Sequence, residues 1–272
     1  MKSKSIVLIA IFLTFWLNLT ACVFNVRTPF TQESSFEKSY KFSPGGKLRI
    51  KNMNGPIYIT AWDKEEVRIS AQKRIRASTQ QMADKAIKRV KIKVDYHNRD
   101  MKISCTHPYS GKGKSFSGFL AGRNVGVKIT YNLNVPKDIE LRAETMNGNI
   151  EINGVSGKSF INTMNGRLII NDAKGSLEAD TMNGRIEAEI LQASFKDEID
   201  LKTMNGGIKL YLPEDIKANI RATTANGRIS SDFAVLLKGS SSRKRLRGEI
   251  NGGGAEIALE TMNGSIKILK IF

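Results

Sequence analysis

A chain of 272 residues with 40% hydrophobic content and a formal net charge of +17, from 43 Lys and Arg against 26 Asp and Glu, has the composition of a folded globular protein. Disorder along the whole chain is excluded, and two cysteines are too few for a fold stapled by disulfides. The charge calls for anionic partners such as lipid head groups, phosphorylated glycans, acidic polysaccharides or nucleic acid.

At the N-terminus, Lys2 and Lys4 precede an apolar run from Ile6 to Leu17, followed by Leu19-Thr20-Ala21-Cys22. A basic start, a short apolar run and a small residue before the cut read as a secretory signal peptide over residues 1–21. Leu19-Thr20-Ala21-Cys22 resembles the bacterial lipobox, which implies that Cys22 is lipidated and becomes the first residue of the mature chain. Its acyl chains would hold the protein on a membrane. An uncleaved N-terminal membrane helix is the alternative, with the protein on the same side of the same membrane. The processed chain keeps a charge of +15, since Lys2 and Lys4 leave with the leader. Export sets nucleic acid aside as a partner. Val23 stands where an aspartate often retains lipoproteins at an inner membrane, which favours the outer membrane in a cell that has two and the cell surface otherwise.

With Cys22 acylated, Cys105 has no partner, and the fold must hold without a disulfide. Nothing beside Cys105 in sequence activates a thiolate, so it reads as a small buried hydrophobe.

Residues 22–46 are polar, carry Pro29 and Pro44 and close on Gly45-Gly46, which reads as a flexible tether after the lipidated cysteine. From Lys47 the pattern alternates, with Leu48, Ile50, Ile57, Ile59, Val67 and Ile69 apolar, as half-buried strands require. The period then changes. Met82, Ala86 and Val90 lie four apart behind Ser78 and Thr79, predicting one helix over about 79–90. Its Lys85, Lys88 and Arg89 form either a solvated face or a patch that docks on a membrane or another anion. Strands resume at Lys91 and, after a glycine- and serine-rich basic loop, in the unbroken alternation of Val127, Ile129, Tyr131, Leu133 and Val135.

Residues 47–135 therefore form an N-terminal β region, and 136–272 a repeat region. Asn-Gly pairs in this alternating setting stand at Asn54-Gly55, Asn147-Gly148, Asn165-Gly166, Asn183-Gly184, Asn205-Gly206, Asn226-Gly227 and Asn263-Gly264, with spacings after the second of 18, 18, 22, 21 and 37. A period near 20 marks stacked supersecondary units. The second and fourth residues after each glycine, and the fourth before each asparagine, are apolar, Ser231 excepted.

The units could be separate hairpins. An all-β, single-domain β-solenoid with one inserted helix explains more, since identical residue types recur wherever each coil stacks on the next. Glycine is expected to supply positive φ at these corners, asparagine a side-chain amide ladder, and threonine a parallel hydroxyl row. One residue type repeated seven times is architecture, whereas a catalytic site needs different types converging once.

Six methionines directly precede these asparagines: Met53, Met146, Met164, Met182, Met204 and Met262. They are expected to pack under the helix, a loop or a neighbouring strand. Alternatives are an outer stripe that docks a partner, or thioether binding of copper(I), although no His or Cys accompanies them.

From about Lys47 to the end, the chain resembles a bacterial domain-of-unknown-function family described as "putative adhesins". The matching segments are KNMNGPIYITAWDKEEVRISAQ, YNLNVPKDIELRAETMNGNIEI, LYLPEDIKANIRATTANGRISSDF and AEIALETMNGSIKI. The resemblance implies a β-solenoid behind a signal or membrane segment, with some relatives in envelope-stress systems, and brings no catalytic residues. VPKDIELRAETMNG and LPEDIKANIRATTANG look like copies of one larger unit, with Pro136 and Pro213 each placed to start a strand.

The expected function is that of a non-catalytic, lipid-anchored envelope protein, an adhesin or scaffold that engages anionic lipids, polysaccharides or an envelope protein. A stress-sensing lipoprotein is the alternative, and a polysaccharide-acting enzyme on a β-helix comes after it. His97 and His107 are the only histidines, no G-x-S-x-G, H-E-x-x-H or calcium repeat is present, and no cofactor or metal is expected. The loop with Arg243, Lys244, Arg245 and Arg247 reads as a solvated insertion or a second anion-docking site.

Overall fold

The structure is a computed structural model that describes residues 30–106, 125–239 and 242–271. The expected leader, Cys22 and His107 lie outside those residues.

The chain opens with β1 (Phe30–Lys41), β2 (Gly46–Lys51), β3 (Ile57–Trp62) and β4 (Glu66–Ala77), then α1 (Gln80–Arg89), β5 (Ile92–His97), β6 (Asp100–Cys105) and β7 (Val125–Pro136). Strand pairs follow: β8 (Ile139–Asn147) with β9 (Ile150–Asn153), β10 (Ser159–Asn165) with β11 (Leu168–Lys174), β12 (Leu177–Asn183) with β13 (Ile186–Gln192), and β14 (Glu198–Asn205) with β15 (Ile208–Leu212). The last part holds β16 (Ala218–Thr224), β17 (Ile229–Ser231), β18 (Leu236–Leu237), β19 (Arg245–Ile250), β20 (Ala255–Thr261) and β21 (Ile266–Lys270).

These strands make two facing sheets. One runs β1-β4-β7-β3-β9-β11-β13-β15-β21-β17, the other β18-β19-β16-β20-β14-β12-β10-β8-β2-β6-β5. Each coil lays a strand in the second sheet, turns at Asn-Gly and lays the next strand in the first. Stacked strands are parallel and in register, Ile161 beside Ala179 beside Leu201 in one sheet and Leu168 beside Ile186 beside Ile208 in the other. The fold is thus a β-solenoid, and parallel pairing excludes separate hairpins.

The alternating pattern sends one face of every strand inward. Ile50, Ala143, Ile161, Ala179, Leu201, Leu259 and Ala222 meet Ile57, Ile150, Leu168, Ile186, Ile208 and Ile266 in a core where none exceeds 2% exposure. Each buried Ile or Leu contributes about 1.5–3 kcal/mol relative to exposure. Both sheets pass through the expected division at residues 135 and 136 without a break.

Space and sequence order part at both ends. The C-terminal coil, β20 with β21, lies between β14/β15 and β16/β17. At the opposite end β6 and β7 lie outside β2 and β3. Antiparallel strands then cover the end coils: β5 on β6, β4 on β7 and β19 on β16. Such caps shield edges that could recruit another chain.

Four expectations change. Residues 30–41, expected within the tether, form β1 and pair along their whole length with β4, because Phe36 and Tyr40 on alternate positions pack against the core. The helix forms where expected, capped by Thr79 Oγ1 accepting from Met82 N at 3.3 Å. Its buried face is Ala83, Ala86 and Val90, with Met82 turned outward. Pro136 ends β7 and Pro213 follows β15, so the prolines close strands instead of starting them.

The fourth concerns glycine. Of the seven corner glycines only Gly55 has positive φ, at 118°. The others are required by space: a Cβ on Gly184 would stand 1.8 Å from the Gly166 carbonyl oxygen, and one on Gly166 2.0 Å from that of Gly148. Coils stack backbone on backbone at the corner, and any side chain would wedge them apart.

Candidate functional site

The corner repeats build three parallel rows. The first is an amide ladder in which each asparagine donates Nδ2–H to Oδ1 of its neighbour: Asn147 to Asn54, Asn165 to Asn147, Asn183 to Asn165, Asn205 to Asn183 and Asn263 to Asn205 at 2.8 Å, then Asn226 to Asn263 at 2.9 Å. All six bonds point the same way. Being exposed and in water, they each contribute at the low end of about 0.5–1.5 kcal/mol.

The second row is threonine. Thr163, Thr181, Thr203, Thr261 and Thr224 are buried and donate Oγ1–H to the glycine carbonyl of the neighbouring coil, at 2.8–3.1 Å. The expected hydroxyl-to-hydroxyl row is therefore replaced by hydroxyl-to-backbone bonds, which satisfy the corner carbonyls as they leave the sheet ladder.

The third row is methionine. Met146, Met164, Met182, Met204 and Met262 are 41–50% exposed, so they do not pack beneath the helix, a loop or a strand as expected. Parity explains this: Thr points inward, so the next residue points out. Ala225 takes the equivalent place in β16/β17 and ends the row.

Charge divides along the axis. Lys and Arg number eleven against four Asp and Glu in residues 66–105, nine against twelve in 136–212, and ten against six in 213–272. The two poles are basic and the middle coils are not. Lys85, Lys88 and Arg89 lie exposed on α1 at one pole. At the other, Arg243 and Lys244 occupy a turn, and Arg245 and Arg247 belong to β19 instead of a solvated loop. About seven strand spacings, on the order of 34 Å, separate β6 from β16.

Many surface cations here are paired, such as Lys47 with Glu140 at 2.9 Å and Lys51 with Glu144 at 2.7 Å. Among the described residues, Lys85, Lys88, Arg89, Arg243, Lys244, Arg245 and Arg247 have no carboxylate partner within 4.0 Å. Arg247 also stands directly across from Arg221 on the antiparallel pair. Like charges opposed across strands are destabilising, and a bound anion relieves them. Sequence reasoning missed Arg221, whose place beside Arg247 depends on the β16–β19 pairing.

Groups able to do chemistry are scattered. His97 ends β5 opposite Asp100. Cys105 is half-buried, and burial pushes its thiol up, away from the reactive thiolate. The Tyr131 hydroxyl is buried without a partner among the described residues, and burial raises its pKa. On the outer face of the second sheet, Asp180 is held above the usual carboxylate range by burial and then by Glu178, while Lys202 binds Asp200 at 2.5 Å. The described residues include no cluster of three or more His, Cys, Asp or Glu placed to hold a metal ion.

A family model described as Toastrack DUF4097 matches residues 132–269, just over half of the chain. No curated protein matches. Among solved structures the chain is similar to a "putative cell adhesion protein" from Clostridium sporogenes, with 14% identity, TM-score 0.46 and coverage of 88% of this chain and 100% of that one. It is also similar to a "putative adhesin" from Bacteroides fragilis, with 13% identity, TM-score 0.30 and coverage of 88% and 97%. A "putative lipid binding protein" from Parabacteroides distasonis gives 12% identity, TM-score 0.23 and coverage of 88% and 97%.

Proposed function

Because the chain belongs to the Toastrack DUF4097 family, whose region here is stacked coils, we propose that it is a non-catalytic binding scaffold of the bacterial cell envelope. Lipid on Cys22 anchors it, and its two basic poles engage anionic lipids or polysaccharides. The observation that carries this reading is the excess of basic charge at the two ends, eleven Lys and Arg against four acids in residues 66–105 and ten against six in 213–272, where the middle coils have nine against twelve. An unpaired cation gains more from a phosphate or carboxylate than one already neutralised, and being exposed it gains less as salt rises.

The test is binding of the mature chain, without its lipid, to vesicles and soluble polymers of graded negative charge at low and high salt. Binding that rises with charge and falls with salt supports the reading. Absence of binding at low salt overturns it.

The methionine row favours a second reading. Five side chains 41–50% exposed in one line give a strip of soft apolar surface suited to an envelope protein partner. Crosslinking from that strip in whole cells, unchanged by salt, would support it over the charged poles.

A further inference from the structure

An Asn-Gly pair carries its own reactivity. The glycine backbone nitrogen can attack the asparagine Cγ, and glycine hinders that approach least because it has no side chain. Six of the seven ladder asparagines are exposed and Asn54 is half-buried, so exposure does not rank the six. Hydrogen bonding does.

At three interior corners the attacking nitrogen is occupied, while at Gly206 and Gly264, whose N–H has no acceptor among the described residues, the grip on the preceding amide is the protection. Gly148 N–H donates to the Asn165 carbonyl at 3.0 Å, Gly166 to Asn183 at 3.1 Å and Gly184 to Asn205 at 3.1 Å. The amides of Asn147, Asn165, Asn183, Asn205 and Asn263 are also gripped on both sides, which keeps Cγ from swinging toward the backbone. At the near end, Gly55 N–H still meets the Asn147 carbonyl at 2.7 Å. Outside the ladder, Gly154 N–H donates to Asn171 at 3.0 Å, and Asn251 Nδ2 is held by the Glu214 and Ile216 carbonyls at 3.0 and 2.8 Å.

The far end differs because no coil follows β16/β17. The capping segment supplies the Lys244 carbonyl to Thr224 N–H at 3.0 Å and the Arg243 carbonyl to Ile229 N–H at 2.9 Å, on either side of the corner. Among the described residues nothing accepts from Gly227 N–H or donates to Asn226 Oδ1. A single bond to Asn263 holds the Asn226 amide. Arg228, Arg243 and Lys244 gather positive charge around this corner, which favours the deprotonated backbone nitrogen that attacks.

We propose that Asn226 is a site of self-catalysed deamidation, and that the ladder protects the asparagines before it. Gly227 N loses its proton and forms a bond to Asn226 Cγ. The Cγ–Nδ2 bond breaks and ammonia leaves with that proton. Water then opens the succinimide to isoaspartate or aspartate. No oxidant, cofactor or partner is consumed, and one negative charge arrives at the basic pole.

The experiment is to incubate the folded mature chain in mildly alkaline buffer and follow isoaspartate and the accompanying mass increase by peptide mapping. A second sample is incubated in urea, and Asn226→Gln serves as the site control. The folded chain should modify Asn226 faster than Asn147, Asn165, Asn183, Asn205, Asn263 or Asn251 by about tenfold or more, a difference of about 1.4 kcal/mol in barrier. The unfolded chain should modify all of them at similar rates. Modification of interior asparagines as fast as Asn226 in the folded chain, or an inert Asn226 there, overturns the proposal.

Discussion

Asn263 donates its side-chain N–H to Asn205 at 2.8 Å although 58 residues separate them, while Asn226, between them in sequence, stacks on the far side of Asn263. The amide ladder thus follows the order of coils in space. An interior member makes two ladder bonds and the last member one.

Asn183→Ala should therefore destabilise the fold by about 1–2 kcal/mol and Asn226→Ala by about half as much, since each exposed bond is worth roughly 0.5–1.5 kcal/mol at most. Urea titrations of the two variants check this. Equal losses would show that the ladder bonds do not carry the difference.

Gly184→Ala should be far worse than its chemistry suggests, costing about 3 kcal/mol or more, because its Cβ would lie 1.8 Å from the Gly166 carbonyl oxygen. Gly239→Ala provides the contrast. That glycine has φ of 90° and nothing within 4 Å of an added Cβ, so only backbone strain of about 1 kcal/mol applies. Thermal melts of both variants would test whether space or φ governs the corners.

Asp180 gives a pH dependence of defined sign. Its folded pKa is raised by burial and by Glu178, with Asp200 adding to the rise and Lys202 opposing it. A raised carboxylate favours the folded state while protonated, so this stabilisation is present below the unfolded carboxylate pKa and is lost as pH rises through the folded value. Asp180→Asn should remove that loss. The variant should gain stability over the parent at neutral pH, and the gain should vanish at acidic pH. A gain independent of pH would point to packing.

At the helical pole, changing Lys85, Lys88 and Arg89 together to Gln should weaken binding to anionic vesicles by about a hundredfold at low salt, taking about 1 kcal/mol per cation at the surface. The difference should shrink at high salt. Circular dichroism should not change, because all three side chains are exposed and lack carboxylate partners.

Much of the coil was legible because its period is local. Ile161, Ala179 and Leu201 sit four before their asparagines and lie wholly buried, as counting places them. What escaped was set by contacts between distant residues. The order of the last two coils depends on β20 choosing β14, and no spacing encodes that choice. The place of Gly184 at a corner is legible in its Asn-Gly pair but the need for glycine is not, since only a stacked neighbour reveals the carbonyl that excludes a side chain. β1 was hidden because Phe36 and Tyr40 are too sparse among polar residues to give a period.

The seven cations were visible as charge, but their lack of partners was not. Arg221 shows why: its neighbour Arg247 is brought beside it by an antiparallel strand, so the electrostatic conflict exists only in the folded chain.

The position of β20 and β21 also sets a timetable for biosynthesis. Strands from β8 to β15 can stack one after another as they emerge, since each finds its neighbour already in place. β16 and β17 emerge next and find no seat, because the surface they rest on, β20 and β21, is made after them. Assembly coil by coil halts after β15 and resumes only when β20 and β21 arrive, and until then the growing body keeps an open, extendable end.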